Sequence, residues 1–245
     1  MDSPGYILLS RMTAQLRAQA VTAHNLANAE TPGFRQSRPV FAAHVEAQGS
    51  GVAPQQRRAA FAWDRATWRD AQPGPVTRTG NPLDVAISGE GFFVVETPRG
   101  DRYTRAGRFA LGPDGRIVDA QGHPVLGDQG RPLAVSPGDT RLEVMGDGTL
   151  RSENGVIGRF RVVRFEDGQA LRAEGDRLLA AGAEPLPVER PAVVQGAVEG
   201  SNVQPILEMT RMMGELREFQ MAAQFAEREA ERQQSAIDRI LRRRN

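Results

Sequence analysis

Met209-Thr210-Arg211-Met212-Met213-Gly214-Glu215-Leu216-Arg217-Glu218-Phe219-Gln220-Met221-Ala222-Ala223-Gln224-Phe225-Ala226 lies near the end of a chain of 245 residues. Its apolar side chains recur at Met209, Met212, Leu216, Phe219, Ala223 and Ala226, continue to Ala230, and return at Ile237 and Ile240 after one polar break at Gln233. Alternating steps of three and four keep these residues on one narrow stripe, the a/d seam of a coiled-coil helix. A straight helix of that span is ~48 Å long at 1.5 Å per residue. Such a stripe has to bury itself against another helix, which marks it as an assembly element rather than a catalytic one.

The opening of the chain repeats the pattern more weakly. Leu9, Met12, Leu16, Ala23 and Leu26 follow the same alternation, broken at Gln19. Ser3 followed by Pro4 reads as an N-cap with proline at the first helical position, where a missing N–H costs nothing. Pro32 disfavours helix at Thr31 and Gly33 invites a turn, so the helix stops near Asn28. The two helices either pair as an assembly domain or pack on the chain's own core.

Between about Thr77 and Leu179 the periodicity changes to two. Leu83, Val85 and Ile87 alternate with Asp84, Ala86 and Ser88, the pattern of a half-buried strand. Turn pairs follow at Asp114-Gly115, Asp147-Gly148, Asn154-Gly155 and Asp167-Gly168, with short apolar pieces between them. Many short strands with regular turns predict an antiparallel β domain, barrel- or sandwich-like. The expected organisation is a helix with its exit turn over 1–34, an extended or irregular connector over 35–76, and β structure over 77–182. An extended connector over 183–200, adding edge strands, then leads to a C-terminal helix over 201–245.

Composition narrows the function. Lys+Arg 31 against Asp+Glu 30 gives a net charge of +1, so the balance does not call for nucleic acid. The chain has no Cys, which removes disulfides, thiolate metal sites and thiol nucleophiles. No stretch approaches the ~20 apolar residues of a membrane span. The N-terminus lacks the charged and apolar regions of a secretory signal, so export without a cleaved signal or a cytoplasmic location is expected. His24, His44 and His123 have no metal-ligand spacing, and no nucleophile elbow, phosphate loop or dinucleotide fingerprint is present. Arg242-Arg243-Arg244 complements the negative end of a helix dipole more simply than it reads nucleic acid. The chain is therefore expected to be no enzyme and to hold no cofactor or metal.

His24-Asn25-Leu26-Ala27-Asn28-Ala29-Glu30-Thr31-Pro32-Gly33-Phe34-Arg35 closely resembles the N-terminal signature of bacterial flagellar rod and hook proteins. Thr79-Gly80-Asn81-Pro82-Leu83-Asp84, Gly91-Phe92-Phe93 and Tyr103-Thr104-Arg105-Ala106-Gly107 are similar to the family's central block. Glu199-Gly200-Ser201-Asn202-Val203 and Glu208-Met209 resemble its C-terminal block. The resemblance spans nearly the whole chain, 42–75 being its least familiar part.

The resemblance implies a structural subunit of the basal-body rod, exported by the flagellar type III apparatus. Such a subunit polymerises with other rod subunits through its terminal helices and transmits torque, without membrane insertion. A proximal-rod position is favoured; a distal-rod subunit of the same family, or a non-flagellar β-domain binding protein, is the alternative. Leu9, Met12, Leu16, Leu26 and the seam from Met209 to Ile240 would form the assembly interface. Asn25 and Asn28, one turn apart, would cap helix ends or bond neighbouring backbone, Thr31 and Gly33 would form the exit turn, and Phe34 would anchor the extended segment.

Overall fold

Both heptad stretches form helices. In this computed structural model α1 runs Ser3–Ala27 and α2 runs Pro205–Arg242. The structure describes the backbone of residues 3–48, 57–175 and 177–242, and their side chains apart from 3–4, 42–48, 57–66, 236–237, 240 and 242. α1 ends just before the Thr31-Pro32-Gly33 turn. α2 opens on Pro205, which suits the first helical position.

The chain divides into two units. The helical unit contains α1, α2 and a long antiparallel hairpin of β1 (Ser37–Gln48) and β2 (Arg57–Arg69). The hairpin pairs from Ser37 opposite Arg69 to Gln48 opposite Arg57, with one irregularity between Val40 and Phe41. The segment read from sequence as an extended or irregular connector thus holds the two longest strands. α1 lies against α2 and against both strands. Among the described side chains of this unit the buried apolar groups are Val21 and Ala222 alone.

The β unit comprises Asn28–Gln36 and Asp70–Val203. Its strands begin with β3 (Val76–Arg78), β4 (Val85–Ile87), β5 (Phe92–Thr97) and β6 (Gly100–Thr104). β5 and β6 form a hairpin at the centre of a six-stranded sheet. Val162–Arg164 and Leu186–Pro187 extend that sheet on one side, Leu179–Ala180 and Arg172–Ala173 on the other. Leu142–Val144, Thr149–Ser152 and Gly155–Arg159 make a second sheet, joined at the expected Asp147-Gly148 and Asn154-Gly155 turns. Val193–Gln195 pairs with β4 and Ala197–Glu199 with β3, so the connector before α2 does carry edge strands.

Every pairing of named strands is antiparallel, as expected. The sheets are open, however, and among the described residues none closes into a barrel. One core is centred on Phe93, Phe109 and Phe160, with ring centroids 5.2–5.8 Å apart, and takes in Val85, Ile87, Ile117, Val125 and Leu150. Alternation in β5 explains its place between two clusters. Phe93 and Val95 face this core, while Val94 joins Tyr103, Leu126, Val163 and Leu171 on the opposite face.

Candidate assembly interface

The last turns of α1 build the first half of the site. Asn25 is 1% exposed, and its amide grips the start of β1 from both sides. Its Nδ2 donates to Ser37 O at 2.8 Å, and its Oδ1 accepts from Ser37 N at 3.0 Å. The remaining Nδ2 hydrogen reaches Glu208 Oε2, 3.1 Å away on α2. Glu208, also 1% exposed, receives Arg211 Nη1 at 2.6 Å on its other oxygen. It lies in the first turn of α2, where unpaired backbone N–H groups favour an anion.

The same face continues along both helices in antiparallel order. Thr22 Oγ1 donates to Glu215 Oε1 at 3.1 Å, and Gln15 Nε2 to Glu218 Oε2 at 3.5 Å. The strip is incompletely satisfied: Gln15 Oε1, Gln19 Nε2 and Glu215 Oε2 are buried without a partner. Burial pushes the Glu215 carboxyl above its ordinary value, against the pull of Thr22 and Arg211.

The apolar seam runs beside this strip rather than on it. Glu208, Arg211, Glu215 and Ala222 precede Met209, Met212, Leu216 and Ala223 by one residue, about 100° around a helix of 3.6 residues per turn. Met209 and Leu216 are 53% and 48% exposed, and Met212 is exposed as well. Phe219, Ala223 and Ala226 are half-buried and Ala230 is exposed. The side chains of Ile237 and Ile240 lie outside the described residues. On α1, Leu9 and Leu16 are exposed, while Met12 and Leu26 are half-buried. The two helices do lie together, while Met209, Met212 and Leu216 of the seam stay exposed. Polar groups occupy the contact, and Ile206, Leu207, Met213, Met221 and Phe225 widen the apolar surface left outside.

The rest of the signature belongs to the β unit. Thr31 N donates to Asn28 O at 3.1 Å and Thr31 Oγ1 to Asn28 Oδ1 at 3.2 Å, closing the turn after α1. Gly33 follows at φ +70° and donates its N–H to Glu199 O at 2.8 Å. A Cβ at Gly33 would stand 2.5 Å from the backbone of Arg105 and Ala106, so conformation and space both require glycine. Phe34 is half-buried, and its carbonyl accepts Asn202 N at 3.3 Å.

Beside it two arginines share one carboxylate. Arg105 Nη1 lies 2.9 Å from Glu199 Oε2, and Arg35 Nη2 lies 3.6 Å from Oε1, which also accepts Gly74 N at 3.3 Å. Both guanidinium groups lie over the Phe92 ring, 5.9 and 5.5 Å from its centroid. Burial lowers the Arg105 pKa to about 10 while Glu199 opposes the shift, so the guanidinium stays protonated at neutral pH. Asn202 ties the neighbouring segments, accepting Gln36 N at 2.7 Å and donating to Gln72 O at 2.9 Å.

The structure therefore brings Asn25 into the helix contact and Asn28, Thr31, Gly33 and Phe34 into one turn, and leaves Leu9, Leu16, Met209, Met212 and Leu216 on the surface. Sequence reasoning named neither the polar strip of Thr22, Glu208, Arg211 and Glu215 nor the Arg35–Glu199–Arg105 cluster. The signal available was position: Arg35, Arg105, Glu199 and Glu208 all fall inside the motif blocks quoted from the sequence. Among the described residues no group of His, Asp and Glu could hold a metal ion, and no helix is long and apolar enough to cross a membrane.

Three family descriptions match the chain in order. A flagella basal body rod protein family matches residues 6–35. The flagellar hook protein FlgE/F/G D1 domain matches 86–152, and the flagellar basal body rod FlgEFG protein C-terminal family matches 194–239. The flagellar basal-body rod protein FlgF of Caulobacter vibrioides is 34% identical over 242 residues, 98% of each chain. The protein of the same name from Salmonella typhimurium is 35% identical over 239 residues, 90% of this chain and 91% of its own. The flagellar basal-body rod protein FlgG of Agrobacterium fabrum is 29% identical over 239 residues, 88% and 90% of the two chains.

Proposed function

The chain belongs to the flagellar basal-body rod protein family, and we propose that it joins the rod through the apolar faces of α1 and α2. It is a structural subunit of the basal-body rod. The observation that carries the proposed interface is the seam itself: Met209, Met212 and Leu216 lie in heptad order on α2, yet they are exposed in the single subunit. A row of this kind gains its burial from another helix. Leu9 and Leu16 supply the matching surface on α1, and the neighbours are other rod subunits.

Identity reaches 34–35% with the two relatives named FlgF above and 29% with the FlgG of Agrobacterium fabrum, which supports the proximal position over the distal one. In that position the subunit passes torque along the axle rather than performing chemistry. The same reading carries export through the flagellar type III apparatus, which the cysteine-free composition suits.

The test is motility and electron microscopy of a strain lacking this gene, complemented with the full chain or with residues 1–208. The expected result is that the null strain has no hook or filament and that only the full chain restores them. A null strain that swims normally would overturn the axial role. Restoration by residues 1–208 would overturn the role of the seam.

A further inference from the structure

We propose that the polar strip between α1 and α2 is a register lock, with Glu208 as its determinant, that keeps the seam of α2 turned away from α1. The proposal rests on the reading of that seam as the contact to neighbouring subunits. Two helices brought together by apolar burial alone would turn the Met209–Leu216–Ala223 row inward. This pair instead buries Asn25, Thr22 and Glu208, and leaves three polar atoms of the strip unpartnered. Buried polar groups of this kind select one arrangement at a cost in stability.

The geometry identifies the determinant. Ser37 fixes the Asn25 amide from both sides, so its free Nδ2 hydrogen points in one direction, and Glu208 Oε2 stands there. Both oxygens of Glu208 are engaged, one by Asn25 and one by Arg211, whereas Glu215 uses only one of its two. Rolling α2 by one residue would set Met209 against Asn25. That strands an amide N–H against a thioether side chain and takes the Asn25 donor away from Glu208 Oε2. The polar pair thus excludes the arrangement in which the subunit would satisfy its own seam.

The absence of native Cys makes the roll measurable on the purified full-length chain. Leu216→Cys reports the seam and Ala222→Cys reports the strip, each through its rate of reaction with a maleimide. In the native background Leu216→Cys, at a position 48% exposed, is expected to react fast and Ala222→Cys, at a position 6% exposed, to react slowly. Adding Glu208→Leu is expected to exchange the two behaviours, slowing Leu216→Cys at least tenfold and speeding Ala222→Cys. Adding Glu208→Gln, which keeps an acceptor for Asn25, is expected to restore the native order.

Unchanged rates in Glu208→Leu would overturn the lock. Fast reaction of both thiols would overturn it too, because the strip would then merely hold the helices together. Swimming separates this proposal from the reading beneath it. Exchanged rates in a Glu208→Leu strain that still swims would uphold the lock and sink the seam as the rod contact.

Discussion

The β unit buries Phe93, Phe109 and Phe160 against one another, whereas the helical unit buries Asn25, Thr22 and Glu208 and leaves Met209 and Leu216 outside. Their carboxylates differ in the same sense. Glu153, in a turn of the β unit, accepts Thr140 Oγ1, Thr140 N and Arg141 N, and these bonds hold its pKa down to about 2. Glu215, in the helical unit, is pushed upward by burial and has an oxygen without a partner. One unit buries its large aromatic rings against one another. The other keeps a row of apolar side chains on its surface, the row proposed above as the contact to a neighbouring subunit.

The comparison breaks first at the aromatic core if it is wrong. Phe93 is fully buried between Phe109 and Phe160, and Phe93→Ala should cost about 3–5 kcal/mol by transfer and cavity terms together. Urea denaturation followed by tryptophan-independent circular dichroism of the β signal measures it. A loss below about 1 kcal/mol would mean that the β unit is no more self-sufficient than the helices.

Glu199 is the exception that sharpens the contrast, a charge buried inside the self-contained unit. Glu199→Ala leaves Arg35 and Arg105 without their shared carboxylate, and removing one member of a buried pair costs about 3–5 kcal/mol. The same denaturation series reads the loss. Near-native stability would show that the Phe92 ring suffices for Arg35, and that ring with the carbonyls of Ile87 and Gly89 for Arg105.

These two sites also mark where the sequence was legible. The rings of the core follow from period-two alternation and turn pairs, both local signals. The Arg105–Glu199 contact spans 94 positions, and no spacing rule connects residues so far apart. The β1–β2 hairpin was obscured for a different reason. Ala42, Ala43, Ala59 and Ala60 are too small to mark one face as apolar, and arginines at 57, 58 and 69 blur the alternation. For the helices, the heptad pattern marks an apolar row but carries no information on which helix covers it. Asn25, a polar residue, meets its partner Glu208 only through the fold.

A smaller effect separates the two carboxylates by pH. Glu215 has a raised pKa when folded, so the folded state binds more protons than the unfolded one above about 4.5, and stability falls as pH rises through that window. Glu153 has a depressed one, so its contribution is present above 4.5 and is lost as pH falls toward about 2. Glu215→Gln should flatten the first dependence and leave the second, with a gain at pH 7 of at most ~1 kcal/mol from relieving a half-buried charge. Melting temperatures recorded between pH 2 and 8 test this. An unaltered profile would mean that solvent satisfies Glu215 and that the strip is under no strain.

The smallest expected change in stability carries the largest expected change in function. Leu216 is half exposed on α2, and Leu216→Asp should shift the stability of the purified chain by no more than ~0.5 kcal/mol, as surface substitutions do. In a rod, the same carboxylate would be driven into an apolar contact, where an unpaired charge is strongly unfavourable. Swimming in soft agar should therefore be lost while the melting temperature holds. The combination is what distinguishes a face reserved for a neighbour from a face that is only tolerated by solvent. A strain that swims normally with Leu216→Asp would place the assembly contact elsewhere on the subunit. A chain that unfolds would show that Leu216 serves the subunit itself, and the division between a self-contained β unit and an open helical one would fail.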